Sequence, residues 1–187
     1  YPGARGMTGR VIAVVGPSGV GKDSVMRGMV AAAPDLQAAR RVITRPRDDD
    51  SEDFESVDAE TFEARCRAGD FVLDWSAHGL RYGIPAGIRD EIAAGRDLLV
   101  NLSRGVLDAA HARFPRFVVL SLTADPEVLA HRLAGRGRED AEGIARRLAR
   151  ANACLDTPAP VITIDNSGTL DDTVRRAINL LYPTKVT

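Results

Sequence analysis

Five aliphatic residues, Val11-Ile-Ala-Val-Val15, break off into Gly16-Pro-Ser-Gly-Val-Gly-Lys22, after which apolar residues recur at helical spacing at Val25, Met26, Met29 and Val30 until Pro34 stops them. A short continuous β-branched run of this kind suits a central strand covered on both faces. The order is strand, glycine loop, helix. Gly16-x-x-x-x-Gly21-Lys22 fits the first seven positions of the phosphate-binding loop, in the structural context that motif requires. Glycines let successive backbone N–H groups converge on an anion, and the helix N-terminus adds partial positive charge. Residues Gly16, Pro17, Ser18, Gly19, Val20, Gly21, Lys22, Asp23 and Ser24 are thus the candidate nucleotide-phosphate site, with Lys22 as the point charge for the β- and γ-phosphates. Composition sharpens the case for that lysine. Of 25 Lys+Arg, only Lys22 and Lys185 are lysine, and Lys185 sits in the tail. The arginine excess itself reads as a bias of base composition.

The rest of the chain keeps an alternating rhythm. Apolar runs recur at 42–43, 98–100, 117–120 and 161–164, with helical spacing over 104–113, 126–134, 142–155 and 170–181. Asp125-Pro126 and Thr169 are suitable helix starts. This predicts an α/β fold of three layers, a parallel central sheet with helices on both faces. The stretch 46–95 breaks the rhythm and reads as an insertion, its acidic run at 48–53 as a solvated loop. The expected organisation is a tag remnant or disordered segment over 1–9 and a single domain over 10–187. Its core takes 10–45 and 96–187, the insertion 46–95, and a lid 135–146.

Whole-chain quantities exclude several function classes. A length of 187 residues suits one domain. No apolar run approaches the roughly 20 residues of a membrane span, so no membrane partner is expected. A net charge of −1 provides no cationic field for a nucleic-acid backbone. Cys66 and Cys154 lack a CxxC spacing, which argues against zinc and a disulfide and for free thiols in a cytoplasmic protein. Monomer and homodimer are both compatible with these counts.

Two departures from the phosphate-loop pattern concern the metal. Asp23 stands where a serine or threonine would place a hydroxyl on magnesium, and the strand at 98–101 ends in neutral Asn101. Asp23 either takes over the Mg2+-organising role or caps the helix; the sequence leaves both open. A second cluster is cationic: Arg132, Arg136, Arg138, Arg146, Arg147 and Arg150. Phosphoryl transfer spreads negative charge over the transferred group, and a placed arginine there accelerates it by roughly 10³- to 10⁵-fold. Arg136 and Arg147 are the candidates, and Arg132 is as well explained by a solvent-facing helix.

Taken together, Gly16-Pro-Ser-Gly-Val-Gly-Lys22, Thr44-Arg-Pro-Arg47, Trp75 followed by Tyr82-Gly83, and Arg136-Gly137 with Arg147-Leu148 resemble the guanylate kinases over most of the chain. The departures, Gly-Lys-Asp-Ser at 21–24, Trp75-x-Ala-His-Gly-Leu-x-Tyr-Gly83, Val100-Asn-Leu-Ser-Arg104 and Gly135-Arg-Gly-Arg-Glu139, are similar to the ribose 1,5-bisphosphate phosphokinases, relatives in phosphonate degradation that make phosphoribosyl diphosphate. The resemblance implies a P-loop kinase using ATP and Mg2+. It places the acceptor on Arg45, Arg47 and Tyr82, with further contacts from Asn101, Ser103 and Arg104. Base reading is weakened: Ile84-Pro85 replace the hydroxyl after the Tyr-Gly pair, and Phe54 lies near the position of an absent tyrosine. Asp74, before Trp75, keeps one guanine contact open.

This pattern suits a phosphorylated sugar as acceptor. A phosphomonoester is already largely ionised at neutral pH, so no general base is needed. Positioning and charge neutralisation supply most of the catalysis, with Lys22, Arg136 and Arg147 as its agents. His78 is the one histidine in the acceptor segment. The alternatives are a nucleoside monophosphate kinase and a non-catalytic guanylate kinase-like interaction module.

Overall fold

In the computed structural model, residues 8–46, 53–134 and 155–183 are described. Along the chain come β1 (Val11–Val15), α1 (Lys22–Ala32), β2 (Leu36–Ala38), β3 (Arg41–Ile43), β4 (Phe54–Ser56), α2 (Ala59–Ala68), β5 (Phe71–Ala77) and β6 (Leu80–Pro85). Then follow α3 (Ile88–Ala93), β7 (Asp97–Asn101), a 3-10 turn (Arg104–Val106) running into α4 (Leu107–Arg113), β8 (Phe117–Thr123), α5 (Pro126–Ala134), β9 (Val161–Asp165) and α6 (Leu170–Leu181).

Five strands form a parallel sheet in the order β2-β7-β1-β8-β9. Every residue of β1 is 1% exposed or less, as its uninterrupted apolar run requires. Strand alternation divides the core in two. Val11, Ala13 and Val15 face α4 and the smaller sheet, with Leu107, Ala110, Phe114, Val72 and Trp75. Ile12 and Val14 face α1 and α6, with Met29, Val174 and Leu181. The expected three layers are present. Helix starts also match: α6 is capped by Thr169, whose hydroxyl accepts from the Asp172 N–H at 3.2 Å.

The smaller sheet, β4-β3-β6-β5, is mostly antiparallel and takes in residues 41–85. Here the structure departs from the sequence reading. The run Val42-Ile43, assigned above to the core, is β3, and pairs with β4 and β6 of the smaller sheet. Two buried residues carry no signal of which sheet they join. The parallel sheet instead gains β2, of which only Leu36 is buried, too little apolar pattern to be recognised as a strand. His78 and Gly79 both adopt positive φ, 53° and 74°, in the tight turn joining β5 to β6. That is the backbone a type I′ hairpin needs. The expected helix over 142–155 apart from Leu155, which is not helical, the lid over 135–146, Arg47, Arg136, Arg138, Arg146, Arg147 and Arg150 lie outside the described residues.

Candidate active site

The loop between β1 and α1 crosses the C-terminal edge of the parallel sheet, where ligands of α/β folds bind. Gly19 and Gly21 have φ of +83° and +92°, which L side chains rarely adopt, and a Cβ on Gly21 would lie 3.0 Å from Asn166 Nδ2. Gly21 is the N-cap of α1 and no side chain caps it. A glycine cap leaves the N-terminal end of the helix, with its partial positive charge, open toward the loop, where a phosphate fits. Lys22 folds back over the loop, Nζ donating to Gly16 O at 3.0 Å and to Pro17 O at 3.2 Å. Asp23 is not the cap, because Gly21 takes that place. Its carboxylate accepts instead from Asn101 Nδ2 at 3.3 Å, across from β7. A carboxylate of α1 thus lies beside the neutral end of β7.

A second layer grips the loop from outside. Asn166, 4% exposed, donates from Nδ2 to Val20 O at 2.7 Å and accepts from the Thr173 hydroxyl at 2.7 Å. Arg132 donates to Val20 O at 3.4 Å and to Asn166 O at 3.0 Å, so it holds the loop and is no solvent-facing residue. Gly19, Gly21, Ser24, Arg132 and Asn166 border a cavity of about 360 Å³ beside the phosphate loop.

Opposite stands one face of the smaller sheet. Trp75 and Tyr82 are cross-strand partners and stack with centroids 5.2 Å apart. The guanidinium of Arg41 lies 5.2 Å from the centre of the Tyr82 ring. Two hydrogen bonds tie this face to the end of β7 and the residues after it: Trp75 Nε1 donates to Ser103 Oγ at 2.9 Å, and Arg41 Nη1 to Asn101 O at 3.0 Å. Arg45 lies over the Phe54 ring at 4.5 Å, and its buried Nε has no hydrogen-bond partner among the described residues. Arg104 begins the 3-10 turn that follows. Asp74 sits next to Trp75 and therefore on the other face of β5. There it pairs with Arg81 at 3.4 Å, and Arg81 also binds Glu63 at 2.5 Å. The hydrogen bond to Glu63 keeps Arg81 more basic than usual. On the same side, burial and the Asp74 charge push the Cys66 thiol up.

Among the expected site residues, the structure joins Asn101 to Asp23 of the phosphate-loop helix and Ser103 to Trp75, on whose ring Tyr82 stacks. Sequence reasoning missed Arg41, which is 7% exposed, beside an exposed Arg40 paired with Asp53. The only available signal was strand alternation within Arg40-Arg41-Val42-Ile43, obscured by the abundance of arginine.

No family model matches the chain. The chain resembles the solved guanylate kinase of Anaplasma phagocytophilum, with a TM-score of 0.68 and 18% identity over 97% of this chain and 88% of that one. Fold and phosphate loop define an α/β P-loop kinase-like protein. Among curated proteins, the ribose 1,5-bisphosphate phosphokinase PhnN of Ruegeria sp. is 52% identical over 170 residues, 90% of each chain. That of Pseudomonas paraeruginosa is 45% identical over 172 residues, 90% of this chain and 93% of its own. The chain belongs to the ribose 1,5-bisphosphate phosphokinase family. Among the described residues no helix is long and apolar enough to cross a membrane.

Proposed function

We propose that the protein transfers the γ-phosphoryl group of ATP to the 1-phosphate of ribose 1,5-bisphosphate, giving ADP and 5-phosphoribosyl 1-diphosphate. The observation that carries this reading is the chemistry of the acceptor face. Tyr82 lines it, backed by the Arg41 guanidinium, and Arg45 flanks it, while Asp74, the carboxylate available to read guanine, turns away to Arg81. Phosphate grip is kept and base reading is lost. A site that lacks the hydrogen-bond partners of a base loses its discrimination for that base.

In this reading the loop N–H groups and Lys22 hold the β- and γ-phosphates. Arg45, Arg47 and Tyr82 orient the acceptor, and Asn101, Ser103 and Arg104 complete its pocket. Because the indole N–H of Trp75 donates to Ser103 Oγ, the hydroxyl proton is directed elsewhere and can meet a phosphate or sugar oxygen. An oxygen of the ionised 1-phosphate attacks the γ-phosphorus in line. One P–O bond forms and the bond to the ADP oxygen breaks, with no proton to remove. Arg136 and Arg147 neutralise the charge on the transferred group. Asp23 fits a magnesium ion, since that ion is commonly held by one or two carboxylates together with substrate phosphates. A magnesium ion held by Asp23 would supply charge neutralisation to the nucleotide phosphates. The reaction is assigned to the cytoplasm, where Cys66 remains a thiol, and to a monomer or homodimer.

The test is an acceptor panel of ribose 1,5-bisphosphate, GMP, AMP and ribose 5-phosphate with MgATP, following ADP and product. Ribose 1,5-bisphosphate should exceed GMP in kcat/KM by more than about 100-fold, the discrimination expected when base hydrogen bonds are missing. A preference for GMP overturns the acceptor assignment.

A further inference from the structure

Arg41 is an unusual choice for its position. It lies on β3 at the junction of the two sheets with 7% exposure, and transferring a charge there from water is costly where an aliphatic side chain would simply pack. The two contacts described for it both go to the cleft. Nη1 donates to Asn101 O at the end of β7, and the guanidinium lies over the ring of Tyr82. Asn101 in turn donates from its side chain to Asp23 on α1. The chain of contacts runs from the acceptor-side tyrosine through Arg41 and Asn101 to the phosphate-loop helix. A second tie, Trp75 to Ser103, lies on the same face of the smaller sheet. These two ties add directional fixing to the apolar packing of Val72 and Trp75 on the core and to the hydrogen bond from Arg113 to Val72 O, and they do so where β5 and β6 carry the Trp75–Tyr82 pair.

We propose that Arg41 is a positioning residue that sets the separation between Tyr82 and the phosphate loop, and with it the approach of the acceptor phosphate to the γ-phosphorus. The inference rests on the phosphoryl-transfer reading above. It follows that Arg41 controls the chemical step and not nucleotide binding, because the loop, Lys22 and the Asn166 clamp hold ATP without it. A misplacement of about 1 Å costs on the order of 100-fold in rate where catalysis is positioning.

The experiment measures kcat and both KM values for the wild type, Arg41→Met and Arg41→Lys, with thermal melting alongside. Arg41→Met keeps length and loses donor and charge. Its kcat should fall about 10- to 100-fold with KM for MgATP unchanged within about twofold. Arg41→Lys keeps a donor and a cation over Tyr82, so its kcat should lie between the other two. Full kcat in Arg41→Met, a KM for MgATP that rises in step with the loss of kcat, or a lysine variant no better than methionine each overturns the inference. Should Arg41→Met fail to fold, Arg41→Lys decides alone: a lowered kcat at unchanged KM for MgATP supports it, and wild-type kcat overturns it. A wild type that releases no ADP with ribose 1,5-bisphosphate refutes the acceptor assignment instead, so the two failures are distinct.

Discussion

Replacing Asn166 by alanine removes the clamp on the phosphate loop while leaving every loop residue in place. Two hydrogen bonds disappear, one to Val20 O and one from the Thr173 hydroxyl, both 2.7 Å. Asn166 is 4% and Thr173 0% exposed, so water does not replace the lost partners at once. Each orphan keeps a poorer alternative, however. Val20 O still accepts from Arg132 at 3.4 Å, and the Thr173 hydroxyl still donates to Thr169 O at 3.2 Å. The cost is then nearer the net worth of a hydrogen bond, about 1 kcal/mol each, than the full penalty of an unsatisfied group. With a small cavity term the total is about 2–3 kcal/mol. For a domain of this size that lowers Tm by roughly 4–12 °C. The freed strain-prone loop also has more conformations to lose on binding phosphate, so nucleotide affinity falls as well. Urea melts together with calorimetric titration of MgATP read both. An Asn166→Ala protein with unchanged melting and unchanged affinity would refute the clamp.

Two further perturbations test other parts of the molecule. Asp23→Ser restores the usual hydroxyl but removes the carboxylate next to Asn101; turnover should fall and the magnesium concentration for half-maximal rate should rise, whereas an unchanged magnesium dependence removes the metal role. Away from the site, Asp97 accepts from Arg10 N–H at 2.6 Å, Arg10 Nη2 at 2.7 Å and Tyr182 Oη at 2.8 Å. Burial pushes the Asp97 carboxyl up, but these hydrogen bonds outweigh it and hold the group below its ordinary range. A depressed carboxyl stabilises the fold above its unfolded value near pH 4 and loses that contribution as pH falls through the folded value. Tyr182 runs the other way: burial and then Asp97 push it up to about 12, so its contribution is complete below about pH 10 and is lost as pH rises through the folded value. Asp97→Asn should therefore cost about 1–3 kcal/mol at pH 7, and the gap to wild type should close in acid. A gap independent of pH between 2 and 7 would contradict this.

The parts of the fold legible in the sequence were those with long apolar periodicity. β1, α1 and α6 were readable because each combines a buried pattern with an explicit start or stop: the glycine loop, Pro34 and Thr169. β2 and β3 were not assigned correctly, because three-residue strands have no period and their pairing is decided by neighbours far along the chain. In the site, the phosphate loop is local and was therefore visible. What stayed hidden is non-local: Arg41 reaching Asn101, Asn166 reaching Val20, and Arg132 packing on the loop join residues far apart in sequence. The cap reading of Asp23 failed for a related reason. Gly21, in left-handed backbone, ends the loop two residues before it, and the partner of the carboxylate lies on β7.

Transfer of one phosphoryl group from ATP onto a sugar phosphate can be followed atom by atom. Phosphorus NMR of the reaction with γ-labelled ATP, equimolar ribose 1,5-bisphosphate and GMP reports it directly. The label is expected in the terminal phosphorus of a 1-diphosphate, with the 5-phosphate signal unlabelled and GMP unconsumed. Label that collects in GDP, or only in inorganic phosphate, contradicts it.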